Sequence, residues 1–207
     1  MKHLVAICCL TFFLSCSNKP ETTTPQKINA IDSSVIKKAS ANPYMQVDVS
    51  PMDMAYFPTD YPIKKMNNEV AALPIARVIY SRPHLSGRKL FGGLVKWGQP
   101  WRLGANEATE ISFFQPVTIQ NKKVKVGQYT MYAIPYEDRW TIVFNSNLYS
   151  WGLKFDSTKD LFSFDIPTRI TAPRIVEHFT MAFEKTATGA DLVMAWEDRE
   201  ARLPIQF

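Results

Sequence analysis

From residue 75 onward the chain alternates apolar and polar positions in short runs broken by turn residues. Val176 to Glu184 shows the pattern plainly. Phe179, Met181 and Phe183 fall on one side, with His178, Thr180 and Ala182 on the other. Leu161 to Ile166 separates Phe162, Phe164 and Ile166 from Leu161, Ser163 and Asp165 in the same way. A period of two is that of a strand with one buried face. The same reading predicts strands over 75–81, 109–114, 117–120, 124–126, 129–134, 140–145, 191–196 and 201–205. Asn121-Lys122, Glu137-Asp138 and Thr188-Gly189 supply turn chemistry between them. No long amphipathic helix and no internal repeat interrupts the series. The pattern predicts an all-β fold, a single antiparallel β-sandwich of jelly-roll or immunoglobulin-like kind, over residues 43–207. A domain of about 160 residues is large enough to bury a core, and an aromatic content of 13% makes that core bulky.

Two stretches break the rhythm. Tyr44 to Lys65 carries Pro51, Pro58 and Pro62 among Met52, Met54, Tyr56, Phe57 and Tyr61. Prolines at this density disfavour a helix and predict an extended strap whose aromatics pack onto the domain. The second is the connection between the strands at 75–81 and 109–114. It holds five of the eight glycines, namely Gly87, Gly92, Gly93, Gly98 and Gly104. It also concentrates Arg82, His84, Arg88, Trp97, Trp101, Arg102, Asn106 and Glu107. A connection of about 25 residues is long for a compact domain, and such loops are often functional. A purely architectural role accounts for the same residues: aromatics filling one end of the sandwich, arginines capping carbonyls.

The segments YSRP, GRKLFGGLV, WGQPWRLGANEAT and VGQYTMYAIP, with SPMDMAYFPTDYP upstream, resemble a bacterial family of Bacteroidetes type known as domain of unknown function 2911. The resemblance runs from about Met45 to the C-terminus, and WRLGANEAT is its most specific piece. It implies a secreted or envelope β-domain and supplies no activity.

The N-terminus reads as a lipoprotein signal peptide. Residues 1–15 place Lys2 before an apolar run from Leu4 to Leu14, too short to span a bilayer. Phe13-Leu14-Ser15-Cys16 resembles a lipobox, so Cys16 becomes the lipidated residue, carrying palmitate-type acyl chains that anchor it to a membrane. Residues 16–42 are rich in Thr, Ser, Lys and Asn and read as a flexible tether, spanning on the order of 30 Å as a coil. The expected location is the cell envelope, at the periplasmic face of the outer membrane. Cys8 and Cys9 leave with the signal, so the mature domain has no free thiol, disulfide or cysteine metal site.

Charge excludes little by itself. The formal net charge is +5 and falls by one when Lys2 leaves. The basic residues are spread along the chain, so a nucleic-acid partner is not expected. No metal-ligand spacing occurs once His3 is removed, because His84 and His178 stand far apart in sequence. No phosphate loop, dinucleotide fingerprint or Gly-x-Ser-x-Gly elbow occurs, and no cofactor is expected.

What remains is the long loop. Arg82, Arg88 and Arg102 offer planar forks suited to carboxylate or phosphate groups. Trp101, with Trp97 and Trp151, offers flat faces for sugar rings, and Asn106 suits hydroxyls or amides. The expected function is binding of a glycan or an anionic small molecule through these residues. Glu107 is the candidate acid or base, held ionised by Arg102 if the two converge. A hydrolase would need a second carboxylate about 5–10 Å away, from Asp53, Asp60, Glu110 or Asp165. Glu107 as a loop-pinning salt bridge, in a structural or assembly lipoprotein, is the remaining alternative.

Overall fold

The computed structural model describes residues 48–207, and the expected signal peptide, Cys16 and the tether at 16–42 lie outside it. The described chain is all-β and antiparallel. It runs β1 (Met52–Phe57), α1 (Tyr61–Met66), β2 (Ala76–Ser81), β3 (Thr109–Phe113), β4 (Val117–Ile119), β5 (Lys122–Val124) and β6 (Gly127–Pro135). β7 (Arg139–Asn145), β8 (Asp160–Ile170), β9 (Val176–Lys185), β10 (Gly189–Glu197) and β11 (Arg199–Gln206) complete it.

The hydrogen-bonded order is β1-β2-β3-β6-β7-β8-β11-β10-β9, with β4 and β5 forming a side hairpin against β11. All eleven strands therefore belong to one sheet. β8 turns its corner. It pairs β7 as far as Pro167, opposite Arg139, and β11 from Thr168 onward. A proline cannot donate to a ladder, and Pro167 sits where β8 changes partner. The strand alternation read from the sequence is the burial pattern observed: Phe179, Met181 and Phe183 are buried on β9, and Phe164 and Ile166 on β8.

The sheet curls until its two ends meet. Tyr80 Oη donates to Met181 O at 3.2 Å, reaching from β2 to β9. Beyond β2 the chain pairs with β9 directly. Leu85 N–H donates to Glu177 O at 2.8 Å, and Phe179 N–H donates to Pro83 O at 3.0 Å. Arg82 fastens the same seam, donating to Asp53 Oδ2 on β1 at 3.1 Å and to Phe179 O on β9 at 3.3 Å.

The proline-rich stretch corrects one expectation. It is extended only over β1, and residues 61–66 form a short helix. Pro62 lies in the first turn, where a missing N–H costs no intrahelical bond. Asp60 and Lys64 pair across one turn of the helix at 2.8 Å. Among the described residues no helix is long and apolar enough to cross a membrane.

Candidate functional site

The long connection spans residues 82–108 and does two jobs. Its apolar residues complete the core. Leu90, Phe91, Val95, Trp101 and Leu103 are all buried. Trp101 is the hub: its ring meets Trp140 edge-on at 5.6 Å, Phe179 at 5.2 Å, and lies stacked on Trp196 at 5.9 Å. Its backbone pairs with Ala133 on β6, with N–H···O distances of 2.7 and 2.9 Å. Trp97 stacks on Phe91 at 5.7 Å and carries the Arg199 guanidinium on its ring at 5.8 Å. The Glu197 carboxylate receives the backbone N–H groups of Leu90 and Phe91 at 3.3 and 3.0 Å. The loop is thus tied to the β10–β11 hairpin rather than free.

Some of its polar residues, His84, Ser86, Arg88 and Arg102, border a cavity of about 610 Å3, a volume typical of small-molecule sites. Trp101 and Trp196 form part of its wall, together with Arg88, Arg102, Leu94 and Leu153. Arg102 is half-buried. It donates from Nη1 to Trp151 O at 3.0 Å, and its guanidinium lies over the Trp151 ring at 5.8 Å. Burial lowers its pKa from the ordinary value, and the nearby Glu107 charge opposes that shift. Arg88 donates from Nε to Leu85 O at 2.9 Å and from Nη2 to His84 O at 2.6 Å. Both arginines therefore cap backbone carbonyls, and among the described residues neither lies within ion-pair distance of a carboxylate.

Backbone geometry around Arg102 is tightly specified. Leu103 and Asn106 both hold positive φ, 55° and 58°. A bulky residue there is strained, and such strain clusters at functional sites. Gly152 (φ +73°) approaches from the next segment so closely that a Cβ would stand 2.9 Å from the Cβ atoms of both Arg102 and Ala108. Any side chain at 152 would force Arg102 or Ala108 to shift.

The predicted site residues divide. Arg88, Trp101 and Arg102 come together at the cavity. Arg82 is turned to the β1–β9 seam and paired with Asp53. Asn106 donates from Nδ2 to Asp48 and helps hold residues 48–50 against the loop, while Ser50 N–H donates to Asp48 Oδ1 at 2.7 Å. Glu107 is exposed beside the cavity rather than in its wall. Of its candidate partners, Asp53 pairs with Arg82 at 3.1 Å and Asp60 with Lys64 at 2.8 Å. Glu110 accepts from Tyr149 N–H at 3.1 Å, and Asp165 accepts from Thr141 Oγ1 at 2.5 Å.

A serine–histidine contact does occur. Ser86 Oγ lies 2.7 Å from His84 Nδ1, and both residues border the cavity. The Glu177 carboxylate approaches the same nitrogen at 4.0 Å and accepts from Ser86 N–H at 2.9 Å. A nucleophile and its orienting acid belong on opposite ring nitrogens. Here both crowd one nitrogen, the arrangement of a turn clamp. Among the described residues no three metal-ligating side chains converge.

Sequence reasoning missed Val49, Leu94, Leu153 and Trp196 as cavity residues. The run Tyr149-Ser150-Trp151-Gly152-Leu153, apolar yet outside any alternating segment, was the available signal.

No curated protein and no solved structure matches the chain. The family model described as protein of unknown function (DUF2911) matches residues 62–205, which include Arg88, Trp101, Arg102 and Gly152, and the chain belongs to that family.

Proposed function

We propose that this chain is a lipid-anchored envelope protein whose β-domain binds an anionic small molecule between Arg88 and Arg102. One observation carries the binding reading. The described residues include nine arginines. Arg82, Arg139, Arg169, Arg174, Arg199 and Arg202 each have a carboxylate within 4.0 Å. Of the other three, Arg77 lies over the Phe114 ring, while Arg88 and Arg102 both face the cavity. Arg88 is exposed, while Arg102 is half-buried with no carboxylate of the described residues within ion-pair distance. An incoming carboxylate or phosphate offsets the desolvation of Arg102 through charge-assisted hydrogen bonds, with Arg88 beside it as a second donor. An anion is favoured over a neutral glycan because no carboxylate or carboxamide of the described residues, the usual partners of sugar hydroxyls, stands in the cavity wall. Glu107 tunes Arg102 from outside in this reading.

The anchor rests on the lipobox-like Phe13-Leu14-Ser15-Cys16. Cys16→Ser should shift the protein from membrane to soluble or unprocessed fractions. Unchanged attachment would remove the anchor from the proposal. For the site, calorimetry with small carboxylates and organic phosphates should find a ligand whose affinity drops at least about tenfold in Arg102→Gln, the scale of one charge-assisted contact. Binding indifferent to both Arg102→Gln and Arg88→Gln would overturn the reading.

A further inference from the structure

We infer that the ligand of this cavity is an anionic amphiphile, a carboxylate or phosphate joined to an acyl chain, with Arg88 and Arg102 holding the headgroup. The inference rests on the anion-binding reading above and adds the chemistry of the rest of the ligand.

Its basis is the apolar surface on either side of the arginines. Val95, Trp101 and Trp196 border the cavity from the core and are buried. Val49, Leu94 and Leu153 border it from the solvent side, with 72%, 61% and 72% of their surface exposed. Single exposed apolar residues are ordinary on protein surfaces. Three on one cavity wall, supplied by three separate segments, are not scattered singly. Trp151, 53% exposed, continues the apolar surface beside Arg102. Gathered apolar rims of this kind mark ligand grooves or interaction sites.

A small hydrophilic anion such as inorganic phosphate satisfies the arginines and leaves this rim in water. A neutral hydrocarbon covers the rim and brings no anion to the half-buried Arg102 or to Arg88 beside it. An amphiphile answers both demands, and Leu94 and Leu153 then cover the first methylenes beyond the headgroup. Of the wall's other polar side chains, Ser86 and His84 already bond to each other, and Ser50 offers only a neutral hydroxyl. The charged end therefore falls to the arginines. A free fatty acid and an alkyl phosphate share this chemistry, and both serve as probes.

The test uses the full chain carrying Cys16→Ser, so that no detergent competes. Hexanoate, octanoate, decanoate, dodecanoate, dodecyl phosphate and decanol are titrated below their aggregation limits. Affinity for the carboxylates should rise by about two- to fourfold per added methylene, the upper figure being that of a fully covered CH2. Dodecyl phosphate should bind comparably to dodecanoate or tighter, and decanol at least about tenfold more weakly than decanoate. Leu94→Ser with Leu153→Ser should flatten the chain-length dependence while the preference for decanoate over decanol persists. Arg102→Gln should weaken every anion alike and leave the slope intact. Carboxylates that bind with no chain-length dependence would overturn the amphiphile inference and leave the anion site standing. Decanol binding as tightly as decanoate, or anions unaffected by both Arg102→Gln and Arg88→Gln, would overturn the anion site itself. A chain-length dependence that survives both serine substitutions would place the acyl chain elsewhere and overturn the inference too.

Discussion

Two clusters of arginine in this molecule are built in opposite ways. Arg169 on β8, Arg202 on β11 and Arg174 from the β8–β9 turn converge on Glu200 at 2.6, 2.7 and 3.9 Å. That carboxylate is only 5% exposed. Burial pushes its pKa up, but the hydrogen bonds from Arg169 and Arg202 outweigh burial and leave it below the usual value. Glu184 accepts from Arg202 at 2.6 Å and, as the largest influence, holds its charge still more firmly. Strand register creates this cluster: Glu200 lies directly opposite Arg169, and Glu184 sits two strands from Arg202 on the same sheet. At the cavity no register operates. Arg88 and Arg102 come from an irregular loop, bond carbonyls, and among the described residues have no carboxylate within ion-pair distance. One arginine cluster is neutralised by carboxylates within the fold; the other bonds backbone carbonyls instead.

The largest perturbation removes what the cavity is built on. Trp101→Ala should destabilise the domain by about 3–5 kcal/mol, the usual range for deleting a buried tryptophan. It should also abolish ligand binding, read by a denaturant melt beside a titration. A loss under about 1 kcal/mol would mean that Trp101 is not the hub of the core.

Next come the two clusters themselves. Glu200→Gln should cost about 1–3 kcal/mol, less than a fully buried pair because Arg169 and Arg174 are exposed. Arg102→Gln should change stability by no more than about 1 kcal/mol, since it gives up one hydrogen bond and a desolvated charge together. Equal costs at the two positions would erase the distinction drawn between the clusters.

The neutralised cluster also predicts a pH response. Because the folded-state pKa of Glu200 is lowered, its contribution is complete above the unfolded carboxylate value of about 4.3 and disappears as pH falls through the folded value. Urea midpoints should show the gap between wild type and Glu200→Gln closing as acid is added below that point. A gap that widens instead would give the shift the opposite sign.

The smallest effect belongs to Glu107. Glu107→Gln should alter stability by under about 0.5 kcal/mol, as surface changes do. It should modestly strengthen anion binding by removing a competing negative charge near Arg102. Loss of binding or of an activity in this variant would return Glu107 to a direct role.

Legibility followed the range of the forces involved. The strands were readable because alternation is local, and β9 shows it residue by residue. The short helix at Tyr61–Met66 was not, because proline density argued against helix while Pro62 occupies the first turn, where proline is tolerated. Arg88, Trp101 and Arg102 were readable as site candidates because they sit in one glycine-rich loop. Which of the loop's polar groups share the cavity was not. Arg82 belongs to the β1–β9 seam, and Asn106 to a contact with Asp48.

The sequence by itself determined that this domain is all-β, that one long loop carries its most distinctive residues, and that the chain resembles DUF2911. Each follows from period, composition or motif, which need no partner distant in the chain. Only the tertiary structure decided which arginines are neutralised. Pairing depends on carboxylates brought close from far along the chain, as Glu200 is for Arg169 and as none of the described residues is for Arg102. It also decided that Leu94, Leu153 and Val49 gather around those arginines. Gly152 lets that neighbourhood form, because its missing Cβ is what allows its segment to pack against Arg102.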